Sequence, residues 1–137
     1  GILMQLRVDE TSGVIALQKV FAVVDAGLIV NPDGARAQIE GGIIQSASWT
    51  LKEQLVFSRS EIQSRDWLSY PILGFEEIPD IHVEEIPDIH VEIVDQKKRQ
   101  SLGVGEVAQG PTAAAIANAV FHATGSRLRD LPLTLGA

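Results

Sequence analysis

Apolar and polar residues alternate from Ile2 to Asp9, and this period of two predicts a half-buried β-strand. Thr11-Ser12-Gly13 is a turn signal. Val14 to Asp25 is rich in β-branched and aromatic residues and predicts a second, longer strand, so the two form an antiparallel hairpin. Asn31-Pro32-Asp33-Gly34 breaks the chain, with Asn31 or Asp33 placed to cap a following helix. From Ala35 to about Leu55 the period changes. Ile39, Ile43, Ala47, Leu51 and Leu55 recur every four residues and share one helix face. Gly41-Gly42 inside that helix costs about 1 kcal/mol per glycine against alanine. A buried helix tolerates the cost when another helix, a sheet or a cofactor has to come very close.

Phe57 to Leu73 is rich in polar residues, with Trp67 and Tyr70 among them, and reads as a loop with room for one short strand. Glu76–Val83 is then followed at once by the same eight residues, Glu84–Val91. The repeat is too short for a solenoid unit, and two copies make no array. It reads as a local duplication, natural or introduced. One copy supplies a strand over Ile89–Val94, and the other is looped out or forms an extra edge segment, because its proline disfavours a central strand. Gly110-Pro111 opens the last helix, with proline at the first helical position. Thr112–Thr124 is dense in alanine, with Ile116, Val120 and Phe121 for the core, and Gly125 ends it. Residues 127–135 form a tail with the pattern of a last short strand. The order β-β-α-β-α, with or without that final β, predicts an α+β fold: a two-layer α/β arrangement with a mixed sheet and its helices on one face.

The chain has 137 residues, the size of one domain. It has no cysteine, which excludes disulfides, thiolate zinc sites and cysteine-ligated iron–sulfur clusters of its own. Eleven basic and eighteen acidic residues give a net charge of −7, which argues against non-specific nucleic-acid binding. Lys97-Lys98-Arg99, the densest basic cluster, sits beside Asp95 and reads as a solvated turn. No apolar run approaches the length of a membrane span. Gly1 opens the chain with neither an initiator methionine nor a signal-peptide pattern, which suggests a piece of something longer. The compartment stays open.

Candidate chemistry centres on Leu102-Gly103-Val104-Gly105-Glu106, just ahead of the last helix. Glycines let a backbone approach a ligand closely, and a carboxylate held on such a loop is well placed as a general base. Taken alone, the five residues fit an ordinary turn with a solvated acid better. Gln38 and Glu40 fall in the first turns of the first helix, where unpaired amides favour anionic or carbonyl ligands. Gln38 can both donate to and accept from a heterocycle or an oxo group, although a lone glutamine is more often a surface residue. His82 and His90 each follow an aspartate by two positions, but one duplication makes both pairs, so they count once and carry little weight as a metal site. His122 reads as a packed or surface residue. No Ser/His/Asp set has a nucleophile elbow around it. Gly103-x-Gly105 lacks the third glycine of a dinucleotide fingerprint.

Several segments in register carry a resemblance. They are Val24-Asp25-Ala26-Gly27, Val30-Asn31-Pro32-Asp33-Gly34 and Gln38-Ile39-Glu40-Gly41-Gly42-Ile43-Ile44-Gln45. Tyr70-Pro71-Ile72-Leu73, Gly103-Val104-Gly105-Glu106 and Ala114–Phe121 continue the series. Together they resemble the C-terminal region of molybdenum hydroxylase large subunits, the xanthine dehydrogenase and aldehyde oxidase family. The likeness is strongest to the bacterial isoquinoline 1-oxidoreductase β-subunit type. It takes in nearly all of residues 1–137 as a C-terminal molybdopterin-binding domain fragment of a longer subunit.

The resemblance implies that Glu106 is the catalytic base in hydroxylating an electron-poor carbon of an aldehyde or N-heterocycle, with water as the oxygen source. A carboxylate sheltered from water has its pKa raised, which suits that role. It implies that Gln38 contacts the molybdopterin cofactor, in its cytosine dinucleotide form with molybdenum, and that the backbone of Gly103, Val104 and Gly105 lies beside it. Iron–sulfur clusters belong to a partner small subunit. The rest of the large subunit and a small-molecule substrate are the other partners. Three departures stand out. Ala26 replaces a cysteine common in relatives. The duplicated octamer adds eight residues between the two cofactor motifs, and either displaces the Glu106 loop or bulges outward. The family's large subunit is several-fold longer, so this chain alone is expected to be inactive. A competing expectation is a non-catalytic interaction module that self-associates. A small-molecule-binding α+β domain of an unrelated family rests on fold analogy alone.

Overall fold

The computed structural model describes residues 1–74 and 88–135. Strands β1 (Ile2–Val8) and β2 (Ile15–Asp25) pair antiparallel as the alternation predicts. Asp9 closes the turn between them, its Oδ1 accepting from the backbone N–H of Thr11 (2.9 Å) and Ser12 (2.8 Å). Strand β3 (Asp88–Val94) lies parallel to β2, giving a mixed sheet in the order β1-β2-β3. Strand β3 opens with the last four residues of the second octamer, and the first octamer lies outside the described residues. The Glu106 loop follows β3 in sequence, downstream of both octamers.

Strand β2 does not alternate uniformly. Val20, Ala22 and Val24 face inward along its second half, whereas Ile15 and Leu17 face inward along its first. The pairing shifts between Gln5 and Leu6 on β1, leaving Gln18 as an extra residue on β2. This bulge changes the parity of the strand and keeps both halves pointing at the core.

Helix α1 (Pro32–Leu51) begins three residues earlier than its apolar period suggests. Asn31 is the cap, its Oδ1 accepting from the N–H of Gly34 (3.0 Å), and Pro32 takes the first turn, where a missing N–H costs nothing. The helix ends at Leu51, because the amides of Lys52 and Glu53 both turn back to the Ser48 carbonyl. Leu55, expected on the buried face, is beyond the helix and exposed. Helix α2 (Gln109–Thr124) ends on Gly125, whose φ of 74° is the left-handed cap conformation. Pro111 is its third residue rather than its first, still within the turn that needs no N–H from it.

Both helices cover the same sheet face. Ile39 and Ile43 of α1 pack on Val20, Ala22, Val24 and Val91. Ile116 and Val120 of α2 pack with Met4, Leu6, Ile15 and Leu17. Each fully buried isoleucine contributes about 1.5–3 kcal/mol. No strand forms over 127–135. Leu133 is buried instead, and its N–H donates to the Thr50 carbonyl (2.7 Å), so the tail docks on the end of α1 through apolar side chains. Within 57–73 the expected short strand is reduced to a single bridge between Phe57 and Ile62. That loop is held at its end by Tyr70, whose hydroxyl donates to Glu53 (2.8 Å), and by Leu73, whose N–H donates to Ser48 Oγ (3.0 Å). The Glu53 contact also raises the Tyr70 phenol above its ordinary pKa.

Candidate functional site

Parallel pairing decides where the candidate residues meet. Asp25, the last residue of β2, lies opposite Val94, the last of β3. Both strands therefore release the chain at the same end of the sheet. From β2 the chain turns through residues 26–31 into α1. From β3 it runs through 95–108 into α2.

The two connections are joined by hydrogen bonds. Leu102 N–H donates to the Ala26 carbonyl (2.9 Å), and Gln96 N–H donates to the Gly27 carbonyl (3.0 Å). Ile29 N–H donates to Asp95 Oδ1 (3.3 Å). Farther along, Gln38 Nε2 donates to the carbonyl of Gly105 (2.9 Å). Val104 packs on the core cluster, and Ala108 is buried against Gly42, where an added Cβ would lie 3.6 Å from the Ala108 methyl. Glu106 thus sits between one residue tied to α1 and another buried beneath it. The structure brings together Gln38 and the Gly103–Glu106 loop, which are more than sixty positions apart in sequence.

The carboxylate of Glu106 is exposed. The shelter from water expected of a base is not provided by the described residues. Gln38 is likewise exposed and Glu40 is half-buried. Gly103 and Gly105 are open in a specific sense: a Cβ added at either would meet nothing within 4 Å among the described residues. Packing among those residues therefore does not require glycine at those positions. The same holds for Gly41, one helical turn from Gln38. Beside this surface lies an open cleft of about 220 Å³, lined by Leu28, Val30, Gly34, Ser101, Leu102 and Val104.

The histidines are elsewhere. His90 lies on the outer sheet face, stacked on Phe21 with ring centroids 5.2 Å apart. His122 is exposed in the last turn of α2. His82 lies outside the described residues. Among the described residues no three His, Cys, Asp or Glu side chains cluster as metal ligands would. Lys97 and Lys98 form an exposed turn. Sequence reasoning missed the role of Asp25, whose two oxygens accept from Gly27 N–H (3.1 Å) and Gln96 Nε2 (3.0 Å). These donors, the Gly27 amide foremost, hold its carboxyl below the usual range. The Asp-x-Gly spacing of a local turn was the available signal.

Comparison with known proteins bears on this arrangement. A family model described as molybdopterin cofactor-binding domain matches residues 2–79, a span that holds Gln38. A nicotinate dehydrogenase chain of Pseudomonas putida is 47% identical over 129 residues, which is 94% of this chain and 10% of that protein. The β-subunit of isoquinoline 1-oxidoreductase from Brevundimonas diminuta is 30% identical over 133 residues, 97% of this chain and 16% of that protein. The crystal structure of the aldehyde oxidoreductase from Desulfovibrio desulfuricans superposes with a TM-score of 0.80 at 28% identity, over 96% of this chain and 14% of that one. The chain thus spans between a tenth and about a sixth of the length of these relatives. The fold, the matched profile and the relatives agree, and the chain belongs to the molybdopterin cofactor-binding domain family of the xanthine dehydrogenase and aldehyde oxidoreductase type.

Proposed function

We propose that this chain is the part of a molybdenum hydroxylase large subunit that presents the catalytic base to the cofactor, and that Glu106 is that base. The observation that carries the reading is the Gln38–Gly105 hydrogen bond, which puts an amide and a carboxylate-bearing glycine loop on one surface. The residues fit a molybdopterin. Gln38 offers an amide to a heterocycle, and the absence of side chains at Gly103 and Gly105 leaves room for a flat group to approach the backbone. When bound, the cofactor supplies the molybdenum that takes up the two electrons of the oxidation. Glu106 accepts the proton released as a water-derived oxygen is joined to the substrate carbon. Glu106 is exposed among the described residues, and on this reading the rest of the large subunit supplies the walls that exclude water.

The identity to the nicotinate dehydrogenase chain favours an N-heterocycle as substrate, with aldehydes the alternative class. The cytosine dinucleotide form of the cofactor, an iron–sulfur partner subunit and inactivity of the isolated chain belong to the same proposal. The test is Glu106→Gln in the molybdenum enzyme that contains this chain. A positioned base contributes about 10²–10⁴-fold, so turnover should fall by that much while molybdenum and pterin content hold. Turnover near wild type would remove Glu106 from the mechanism.

The outer sheet face supports a second reading for the chain in isolation. Leu3 is 69% exposed and Val23 50%, with Phe21 and Val94 beside them. An uncovered apolar face of this kind drives self-association. Light scattering on the purified 137-residue chain should show dimers or larger species, and a monomer at high concentration would count against this reading.

A further inference from the structure

We propose that Asp25 is a positioning residue for Glu106, acting through Gln96 and the turn at Gly27; the proposal rests on the assignment of Glu106 as base. Asp25 is the last residue of β2 and does not touch the Gly103–Glu106 loop itself. One oxygen accepts from the Gly27 amide (3.1 Å) and fixes the turn; the other accepts from Gln96 Nε2 (3.0 Å) and fixes the exit of β3. The backbones it joins are then bonded to each other twice, from Gln96 N–H to the Gly27 carbonyl and from Leu102 N–H to the Ala26 carbonyl.

The approach at this junction is too close for any residue but glycine. Gly27 has φ +71°, and a Cβ there would stand 2.0 Å from the Gln100 carbonyl oxygen. The strand of chain held this way runs directly into Val104, Gly105 and Glu106. Two clamps therefore set the base: Gln38 at Gly105 and the Asp25 junction at residues 96–102. The first lies on the surface assigned to the cofactor, and the second joins the exits of β2 and β3. A base must be placed to well under 1 Å to keep its rate advantage, and misplacement by about 1 Å can cost about 10²-fold.

The Asp25–Gln96 bond can be broken and rebuilt. Gln96→Glu sets two carboxylates against each other with no donor between them. Asp25→Asn combined with Gln96→Glu restores a donor and an acceptor with their polarity reversed. Both are made in the molybdenum enzyme that carries this chain, alongside Glu106→Gln. Hydrogen exchange is read on peptides spanning 100–106, together with kcat, KM and molybdenum content. Gln96→Glu is expected to speed exchange over 100–106 by about tenfold or more and to lower kcat by about 10–100-fold. KM and molybdenum content stay unchanged, and the double variant recovers both exchange and kcat. Unchanged exchange in Gln96→Glu, or no recovery in the double variant, overturns the proposal. An active Glu106→Gln enzyme overturns the base assignment instead, whatever the exchange shows, so the two failures are distinct.

Discussion

Removing residues 76–83 should leave this fold intact and slightly more stable. Because the octamers are identical, deleting either copy yields the same sequence. Strand β3 begins with Asp88-Ile89-His90-Val91, and Asp80-Ile81-His82-Val83 offers the same side chains to Lys19, Val20, Phe21 and Ala22. The residues that follow decide between them. In the observed register Ile93 lies opposite Val24 and packs on the core. A register shifted by one octamer would put Glu85 there and carry Asp95 and Gln96 away from Ile29 and Asp25. Lost isoleucine burial costs about 1–2 kcal/mol for a partly buried side chain. An unpaired carboxylate adds about 1–3 kcal/mol, and two lost hydrogen bonds about 0.5–1.5 kcal/mol each. The shifted register therefore lies about 3–8 kcal/mol higher, populated at about one in a hundred or less.

The β2–β3 pairing does not call on the first octamer, which lies in the connection from Gly74 to Asp88. Shortening that connection from thirteen residues, 75–87, to five lowers the cost of loop closure by about 0.8 kcal/mol. Urea unfolding followed by circular dichroism should show that gain with an unchanged slope. Ile93→Glu in the undeleted chain should instead destabilise by about 2–5 kcal/mol. A deletion that costs more than about 2 kcal/mol would refute the reasoning, since the octamer would then be contributing packing of its own.

Two further outcomes follow from buried and ionised groups. Thr50 is fully buried, and among the described residues its hydroxyl has no hydrogen-bond partner, so Thr50→Val should stabilise the chain by about 1 kcal/mol in the same urea assay. Amide and hydroxyl donors hold the carboxyls of Asp9 and Asp25 below the ordinary value of 3.8, the Ser12 amide first for Asp9 and the Gly27 amide first for Asp25. A folded-state pKa below the unfolded one contributes stability that is present above pH 3.8 and lost as pH falls through the lower folded value. Unfolding midpoints should therefore be flat from pH 7 to about 5 and fall below about 4, with a shallower acid limb in Asp9→Asn.

Much of the fold was legible because its signals are local. Period two marked β1, period four marked the buried face of α1 at Ile39, Ile43, Ala47 and Leu51, and Gly125 marked the end of α2. The bulge at Gln18 was not legible, since an inserted residue looks like any other until a partner strand passes it. Nor was the end of α1, because Ser48 closes that helix while the apolar period runs on to Leu55. The tail at 127–135 has an apolar pattern that suits a strand, but Leu133 found a helix end to dock on rather than a sheet edge.

The candidate site divides along the same line. Glu106 on its glycine loop and Gln38 in the first turns of a helix were each candidates from residue type and spacing, and only the family resemblance, carried by several motifs in register, gave them roles. Their adjacency was not, because sixty-seven positions separate Gln38 from Gly105. Tertiary structure decided it by pairing β2 and β3 in parallel, which brings two strand ends, and the loops that leave them, to one end of the sheet. Local sequence sets what a segment can become. Which segments share a surface depends on strand direction and register, and those are fixed only when distant apolar faces are buried together.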